Sequence, residues 1–464
     1  MGAGRAVAEV FAEWAAGIEP HAIPEPARDV AANAVLDVAG LCIAARGTHY
    51  IRVALAAWDA EGACTALGHA RPLDAAGAAL INGTAAHGED FDDSFEGTPV
   101  HASAVVVPAV LAAAERYGRA GADVLRGYVV GTELMCRLAL VAPTAIHRAG
   151  FHPTAVIGAL GAAAGVGATL RLSPRQLTDA LGIAGSMASG IIEYLAEGTW
   201  TKRLHAGWAA QAGLRAALLG RAGFLGPRTV LEGEHGFFHA FGVPEIEPDF
   251  RFVTERLGEE WQMAGIAFKP YACGTMLHPF IDCAIRLARD GVAAADVQEL
   301  VCRVGEGTVH RLWEPLAEKR RPTNSYSAKF SGPFAVALGL VEEAAGLEQF
   351  TNAKVLDADL LALAARVRYE IDPANEYPHN YTGDVCAVLA DGSVREAHQP
   401  YLRGGVREPL GRAEITAKFR ANTAYGGWPE EEIGRLEAWC GRLFEQDGVG
   451  GLPAFRDCQP VQRL

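Results

Sequence analysis

The sequence predicts a mainly α-helical protein, in which both ends of the chain form a large helical domain and an α+β domain is inserted between them. At 464 residues the chain is too long for one compact core, since single cores stop growing near about 250–300 residues. Apolar residues recur at helical spacing over the first part of the chain and again after Arg412, and runs rich in β-branched residues lie between. We therefore expect a helical domain at 1–267 and 408–464, and an α+β domain at 268–407.

The N-terminal region carries helical patterns and no run with the alternation of a strand, so we expect it to be all-α. Val30–Leu41 and Val105–Tyr117 are two of its apolar periodic stretches. Ser173 followed by Pro174 predicts a helix start, because Ser caps helices and Pro suits the first helical position. The glycines of Gly158–Gly165 lack the spacing of a dinucleotide-binding loop and no strand precedes them, so they indicate close helix packing.

The inserted region predicts strands and helices in alternation. Val297–Val304 and Val367–Ile371 are rich in β-branched residues and predict strands. Val385–Glu396 predicts a hairpin, since Asp391-Gly392 is a typical two-residue turn. Helical candidates lie between them, at His278–Asp290, Phe330–Ala345 and Asp357–Ala365. From Arg412 onward the pattern is helical again.

The composition argues against several classes of protein. A formal net charge of −14 disfavours nucleic acid and anionic membranes as partners, although it permits a small anionic substrate in a local basic pocket. No charge-free apolar stretch of about 18 residues indicates a membrane span, because the candidates are Ala-rich and broken by Gly. The nine Cys are scattered without a Cys-x-x-Cys pair, which predicts buried thiols in a reducing compartment. We expect a cytoplasmic protein.

The densest polar cluster runs from His87 to Ser94 and is followed by His101. Within it, four acidic residues crowd the five positions 89–93, which is costly unless the charges are used. A metal site is one interpretation, because Asp and His are common metal ligands. An acid–base site is a second, since His101 titrates near neutral pH. A solvated loop after a helix is the third, and the spacing alone leaves all three open.

Further clusters combine His with basic or acidic groups. His152 precedes a Gly/Ala-rich helix, where it can orient toward an anion bound at the helix start. Lys202 and His205 are three residues apart and share a face on a helix, which suits a carboxylate or a phosphate, although a solvated basic face explains the local sequence equally well. His278 and Asp282 are four apart, so that Asp282 is placed to orient His278 if both are helical.

Lys269 and Cys273 lie just before His278. No base stands at a recognisable spacing from Cys273, so a nucleophilic role is not favoured. Several separated His-containing clusters and a buried-looking Lys, in an acidic chain without a cofactor motif, predict a carboxylate-binding acid–base site. We expect no cofactor.

These segments resemble the MmgE/PrpD family over nearly the whole chain. The motifs include AHGEDFDDSFEGTPVH (86–101), FHPTAV (151–156), TKRLHAGW (201–208), KPYACGTMLHPFID (269–282) and RPTNSYSAKFS (321–331). The resemblance implies a helical domain from both chain ends with an inserted α+β lid, a homodimer, and no catalytic metal. The family includes 2-methylcitrate dehydratases, cis-aconitate decarboxylases and iminodisuccinate epimerases.

The resemblance also implies roles for individual residues. His101 or His152 would move a proton on the carbon next to a carboxylate, and Lys202 would neutralise substrate carboxylates. His278 would act as the opposing acid, and Asp90 would orient a His. Four further residues are expected to bind the substrate: Ser94, Arg203, Lys269 and Tyr326.

Two positions depart from the decarboxylase pattern. Phe334 falls where that pattern has a Tyr, and the loop around Glu96 is slightly longer and adds a carboxylate. Both positions argue against a decarboxylase but do not choose between a dehydratase and an epimerase. We expect a lyase of the 2-methylcitrate dehydratase type, which eliminates water from a small hydroxy-polycarboxylate. An epimerase of a dicarboxylate such as iminodisuccinate and a cis-aconitate-type decarboxylase remain alternatives. A non-catalytic carboxylate binder is disfavoured, because simple anion binding would use Arg and backbone donors over titrating His.

Overall fold

The computed structural model describes residues 4–456, which form two compact units. Unit 1 holds the described residues up to Gly88, then Asp92–Ile266, and those from Arg412 onward. Unit 2 holds Glu89–Phe91 and Ala267–Gly411. The sequence placed the two boundaries at 267/268 and 407/408, and did not separate 89–91 from the helical domain. The ends of the chain, with Cys458 among them, lie outside the described residues.

The N-terminal part of unit 1 is built from helices that alternate with short loops. They are α1 (Val7–Gly17), α2 (Glu25–Ala45), α3 (His49–Ala57), α4 (Ala75–Gly88), α5 (Ser103–Tyr117), α6 (Gly121–Val141), α7 (Ala145–Arg148), α8 (Pro153–Thr169), α9 (Pro174–Met187), α10 (Tyr194–Glu197), α11 (Thr201–Arg221), α12 (Phe237–Phe241) and α13 (Arg251–Thr254). Short 3₁₀ turns occupy Pro20–Ala22 and Gln262–Gly265. The predicted start of α9 is confirmed, because Ser173 accepts a hydrogen bond from the backbone N–H of Gln176 and Pro174 follows the cap.

The expectation that this region is all-α is wrong in detail. It contains the strand β1 (Glu61–Cys64) and the two-residue strand β2 (Ser94–Phe95). β1 bridges to Leu73, and β2 pairs with β3 (Ile266–Ala267). Strands of two to four residues are too short to display the alternation from which strands are predicted.

The core of unit 1 is formed by small residues on long helices. A Cβ atom added at Gly161 of α8 would lie 2.2 Å from Met135 of α6, so the two helices approach closely. α4 and α11 also cross closely, since a Cβ at Gly207 would lie 2.1 Å from the Leu80 carbonyl oxygen. The interpretation of Gly158–Gly165 as a packing surface is therefore confirmed. This packing brings the ends of α4, α8 and α11 together.

Unit 2 combines helices with a four-stranded sheet. Its helices are α14 (His278–Arg289), α15 (Glu306–Leu312), α16 (Leu316–Arg320), α17 (Ser325–Ala328), α18 (Gly332–Glu342), α19 (Asn352–Val355) and α20 (Ala358–Ala364), with 3₁₀ turns at Thr275–Leu277 and Ala294–Asp296. Its strands are β4 (Val297–Val304), β5 (Val367–Ile371), β6 (Gly383–Leu389) and β7 (Val394–Gln399). The predicted strands and helices of this region are thus confirmed to within a few residues.

The sheet has the order β5-β4-β6-β7. β4 runs parallel to β5, with Leu300 opposite Val367, and antiparallel to β6. β6 and β7 form the predicted hairpin, in which Gly392 has a φ of 83°. Glycine suits this turn because it adopts positive φ without steric cost.

The chain ends with helices α21 (Arg412–Tyr425) and α22 (Glu430–Arg442), followed by 3₁₀ turns at Leu443–Glu445 and Leu452–Phe455. α21 packs on α2, where the buried Lys418 ammonium lies 2.8 Å from the Asp37 carboxylate. The predicted mainly α fold is confirmed.

The cysteines of the described residues are all free thiols, and every one except Cys386 is buried. Among residues 4–456, no single helix has the length and hydropathy needed to cross a membrane; α2 and α3 meet these limits only as a pair, which is bent by 91°.

Candidate active site

Four buried histidines of unit 1 lie side by side, and we call them the histidine cluster: His87, His101, His152 and His205. The ring of His87 is centred 4.9 Å from that of His101 and is stacked at 5.6 Å on that of His152. The ring of His205 lies 5.2 Å from that of His152, with their Nδ1 atoms 3.1 Å apart. Packing therefore unites histidines from distant parts of the sequence.

Each histidine is held by the end of a helix. His87 lies in the last turn of α4, His152 is the N-cap residue of α8, and His205 lies in the first turns of α11. His101 precedes α5, and its backbone N–H donates to Oγ1 of Thr154 at 3.1 Å. The prediction that His152 stands at a helix start is confirmed.

The hydrogen bonds of His101 fix its tautomer. Its Nδ1 lies 2.6 Å from the backbone carbonyl oxygen of Asp93 and 3.2 Å from Oγ of Ser94. A carbonyl oxygen only accepts hydrogen bonds, so Nδ1 of His101 carries the proton. The Nε2 atom of the neutral ring then keeps its lone pair and is able to act as a base.

Two adjacent aspartates of the acidic cluster have different partners. Asp92 binds Nδ1 of His87 at 2.7 Å and lies 3.8 Å from Nδ1 of His101. The Asp93 carboxylate instead accepts hydrogen bonds from the backbone N–H and the hydroxyl of Ser103, at the start of α5. Burial raises the pKa of Asp93 to about 7, although the bonds from Ser103 oppose this shift. The prediction of a solvated loop is wrong here, because both side chains are buried.

The environment of His152 and His205 disfavours their charged forms. Burial, followed by the nearby His87, His205 and Lys202, lowers the pKa of His152 well below its usual value. Burial, together with His87 and Lys202, lowers the pKa of His205 to about 4. The Tyr194 ring packs edge-on against both rings. The structure thus places the predicted Lys202 close to the cluster, and its charge repels protons from it.

Three members of this region are close enough to hold a metal ion. The candidate ligand atoms of His87, Asp92 and His101 all lie within 4.8 Å of one another. The short contact from Nδ1 of His101 to the Asp93 carbonyl requires a proton on that nitrogen, so only Nε2 of His101 is available to a metal. The same three side chains also form a hydrogen-bonded group that is suited to acid–base chemistry.

Arg203, which we expected to bind the substrate, lies against the aromatic ring of Tyr50. Its guanidinium lies 4.5 Å from the ring centre of Tyr50, a cation–π contact. Trp200, which precedes α11, packs edge-on against the same ring. These contacts fix the first turn of α11, which also carries Lys202.

In unit 2, two buried lysines hold the segment Glu89–Phe91. Nζ of Lys269 donates to the carboxylate and to the carbonyl oxygen of Asp90, both at 2.9 Å. Nζ of Lys329 lies 3.0 Å from the Glu89 carboxylate. Asp90 was expected to orient a histidine, and Lys269 was expected to bind the substrate. Each of these roles competes with the ion pair that the two residues form with each other.

His278 is fully buried at the start of α14. Its Nε2 lies 3.3 Å from the carbonyl oxygen of Cys273, and Tyr271 packs edge-on against its ring. The Asp282 carboxylate, which the spacing placed near His278, accepts a hydrogen bond from the Tyr271 hydroxyl at 2.5 Å. Tyr271 therefore contacts both Asp282 and His278. Burial raises the pKa of the Cys273 thiol. The thiol form is a poor nucleophile, so this agrees with the expectation that Cys273 does not act as one.

Tyr326 and Phe334 occupy different environments in unit 2. Tyr326 lies on α17, half-buried, with its ring against that of Phe330. Phe334 lies on α18, where its ring is fully buried and faces that of Phe350. Phe334 is therefore a core residue, and it supplies no polar group.

Four residues of this region were not part of the site predicted from the sequence. His205 could have been included, because it shares a helix face with Lys202. His87 and its partner Asp92 stood within the acidic cluster, but only the fold shows that their side chains turn inward. Tyr194 had no signal, since a lone Tyr in a short helix has no distinctive pattern.

Two family models match this chain. The model of the MmgE/PrpD N-terminal domain matches residues 9–248, and that of the MmgE/PrpD C-terminal domain matches residues 271–438. The first match lies within the predicted helical domain, and the second covers nearly all of the predicted α+β domain and part of the C-terminal helices.

Curated proteins from animals and fungi are also similar. The human cis-aconitate decarboxylase is 29% identical over 361 residues, which cover 75% of this chain and 72% of the relative. The cis-aconitate decarboxylase of Aspergillus terreus is 27% identical over 488 residues, which cover 99% of this chain and 95% of the relative. A cis-aconitate decarboxylase-like protein of Aspergillus oryzae is 29% identical over 383 residues, or 77% of each chain.

Proposed function

The chain belongs to the MmgE/PrpD family, and on that premise we propose that it is a lyase that eliminates water from a small hydroxy-polycarboxylate, as a 2-methylcitrate dehydratase does. The observation that carries the proposal is the buried histidine cluster, in which the hydrogen bonds of His101 leave Nε2 with its lone pair. Neutral histidines are suited to removing a proton, and an elimination begins with that step.

In the proposed reaction His101 takes a proton from the carbon next to a substrate carboxylate. The electron pair of the broken C–H bond moves into that carboxylate and forms an enediolate. Such a carbon acid is weak, so positive charge must be held near the developing anion. Lys202 supplies it, which is consistent with its influence on the pKa values of His152 and His205.

The second half of the reaction expels a hydroxyl group. The electron pair returns to form a C=C bond, and the C–O bond breaks as an acid protonates the oxygen, so that the net change is loss of one water. His152 and His205 are poor donors, because their lowered pKa values leave them without an extra proton near pH 7. The family resemblance gives the acid role to His278, and we retain it as part of the proposal.

The other residues expected at the site are proposed to bind the substrate or to position the groups that do. Ser94 hydrogen-bonds to His101, so it is suited to positioning the base as well as the substrate. Arg203, Lys269 and Tyr326 are proposed to bind substrate carboxylates, and Asp90 to set the position of Lys269, with which it is paired. We further propose that the enzyme works as a homodimer, without a metal or a cofactor.

Decarboxylation of a cis-aconitate-like substrate is the second candidate. Its support is that several curated relatives, 27–29% identical, are named cis-aconitate decarboxylases. The position of Phe334, where the decarboxylase pattern has a Tyr, lacks a phenol and is buried. The missing phenol is the observation that favours dehydration in this proposal.

The test is proton NMR of the purified protein in D₂O with EDTA. The substrates are 2-methylcitrate, citrate, cis-aconitate, iminodisuccinate and tartrate. We expect a new alkene signal from a hydroxy-polycarboxylate, with deuterium at the carbon next to a carboxylate in the recovered substrate. Loss of CO₂ from cis-aconitate would favour the decarboxylase, and stereochemical inversion without an alkene would favour an epimerase.

Variants identify the residues involved. His101→Asn and Lys202→Met are expected to lower turnover at least about 100-fold, which is the scale of a lost acid–base or electrostatic group. His239→Asn is the control, since His239 is an exposed histidine of unit 1. Near-native turnover of both site variants would show that the site is misplaced. Binding without exchange or turnover for every substrate would instead mean that the protein is a carboxylate binder.

A further inference from the structure

The buried side chains behind His101 include a pair that the proposed mechanism leaves unused. The exposed fraction of the side chain is 0% for His87 and 1% for Asp92, and Nδ1 of His87 lies 2.7 Å from Oδ2 of Asp92. Nε2 of His87 has no hydrogen-bond partner among the described residues. A buried polar atom in this state requires an explanation, because such atoms are nearly always paired.

The geometry fixes the protonation of this pair. The carboxylate of Asp92 accepts hydrogen bonds when ionised, so the proton between the two groups belongs to Nδ1 of His87. Nε2 of His87 meets no acceptor among the described residues, so no hydrogen bond there stabilises a second proton on the ring. The same carboxylate oxygen lies 3.8 Å from Nδ1 of His101. The negative charge of Asp92 therefore lies close to two imidazole rings. His101 also donates to the Asp93 carbonyl oxygen, which His87 does not contact.

We infer that Asp92 and His87 form a positioning pair for the proposed reaction: Asp92 stabilises the imidazolium that His101 becomes on accepting the substrate proton, and His87 limits how strongly it does so. The inference rests on the proposed function, in which His101 is the base. Asp92 gains no proton in this step. The proton stays on Nε2 of His101, and the negative charge at 3.8 Å makes that state less costly.

His87 moderates this effect by occupying the carboxylate. The hydrogen bond from Nδ1 of His87 draws negative charge of Asp92 toward itself, so the field of Asp92 at His101 is weaker than that of an unpaired carboxylate. His101 itself lies against Asp93 in its own loop and His152 at α8. His152 in turn lies close to Tyr194 on α10 and to Lys202 and His205 on α11. The variants used in the test, which are Asp92→Asn, His87→Asn, His101→Asn and Asp249→Asn, leave these neighbouring groups unchanged.

The inference makes two predictions of opposite sign, which a merely structural role does not make. In Asp92→Asn the titration midpoint of His101 should fall by about one pH unit, since a charge 3.8 Å away is removed. In His87→Asn the midpoint should rise, because Asp92 loses the partner that shares its charge. The acid limb of the pH–rate profile should move in the same directions.

The measurement is NMR titration of the full-length protein with isotope-labelled histidine, in which the His101 signals are assigned by their loss in His101→Asn. Asp249→Asn is the matched control, since the Asp249 carboxylate binds Arg251 elsewhere in unit 1. Circular dichroism establishes that each variant is folded. Midpoints that shift in opposite directions in the two pair variants support the inference.

Unchanged midpoints in either folded variant, or shifts in the same direction in both, would overturn it. If Asp92→Asn does not fold, the sign of the shift in His87→Asn alone decides. The titration needs no substrate, so a protein that turns over none of the polycarboxylates disproves the proposed function while the titration still reports on Asp92. Conversely, normal turnover with unshifted midpoints disproves only the positioning pair.

Discussion

At the scale of single residues, Asp90 combines an unusual backbone with a buried ion pair. Its φ of 56° lies in the left-handed region, which non-glycine residues rarely adopt. Its carboxylate lies 2.9 Å from Nζ of Lys269, and both side chains are almost fully buried. The attraction between these two charges therefore contributes to holding a conformation that the backbone alone disfavours.

Lys269→Met is expected to lower the free energy of unfolding by about 3–5 kcal/mol, because it leaves the buried Asp90 charge without this counter-charge. Asp90→Asn should also destabilise, but the double variant should be less destabilised than the sum of the two, since it removes both charges. Urea unfolding measures all three. Lys354→Met is the control, because its pair with Glu342 is partly exposed and should contribute little. Additive effects of the two substitutions would show that the pair is not coupled.

The sequence identified most residues of this region but not their partners. The Lys269–Asp90 pair spans 179 positions of the chain, so no local spacing could predict it. The family resemblance gave both residues a role, yet it did not show that they bind each other. In contrast, the alignment of Lys202 with His205 was predictable, because both lie within one turn of α11.

At the scale of secondary structure, the crossing of α4 and α11 positions half of the histidine cluster. A Cβ at Gly83 would lie 2.7 Å from the Cα of Gly207, so the two backbones are in contact at this point. His87 follows Gly83 by one turn of α4, and His205 precedes Gly207 by two residues of α11. Any separation of these helices would therefore move both histidines.

Gly207→Ala should destabilise the protein by at least about 1–3 kcal/mol, because the added Cβ would lie 2.1 Å from the Leu80 carbonyl oxygen. It should also lower turnover, since His87 and His205 would move apart. Gly434→Ala in α22 is the matched control, as no atom lies within 4 Å of the added Cβ, and it should be neutral or slightly stabilising. Thermal unfolding and the NMR assay measure these effects. Equal stability of the two variants would argue against the close crossing.

The helices and strands themselves were largely predictable, because their signals are local. The start of α9, the hairpin of β6 and β7 and the inserted strands follow from caps, turns and β-branched runs. The strands β1 and β2 were missed, because they are shorter than the period by which a strand is detected. The identity of neighbouring helices was not predictable, since small residues indicate close packing without naming the partner.

At the scale of the whole molecule, two buried groups give stability opposite dependences on pH. The pKa of His205 is lowered to about 4 in the folded state, so below about pH 6.5 the unfolded chain binds a proton that folded His205 does not. Stability from this source is complete above pH 6.5 and is lost as the pH falls toward 4. Asp93 acts in reverse: its folded pKa of about 7 adds stability at low pH that is lost as the pH rises from about 4 to 7.

The wild-type stability curve therefore cannot separate the two groups, but a variant of one of them can. His205→Asn lacks the loss of stability that His205 causes at low pH. The free energy of unfolding of this variant, relative to that of the wild type, should therefore rise by about 2 kcal/mol as the pH falls from 7 to 4.5. Asp93 is retained in both proteins, so its contribution largely cancels in the difference. His152 stays buried but loses the smaller effect of His205 on its pKa, which adds to the gain in the same direction. His239→Asn, at an exposed position, should show a difference that does not vary with pH. Urea unfolding at several pH values gives the free energies. A constant difference for His205→Asn would mean that its ring titrates normally in the folded protein, and burial would then not lower the pKa of His205 as the structure indicates.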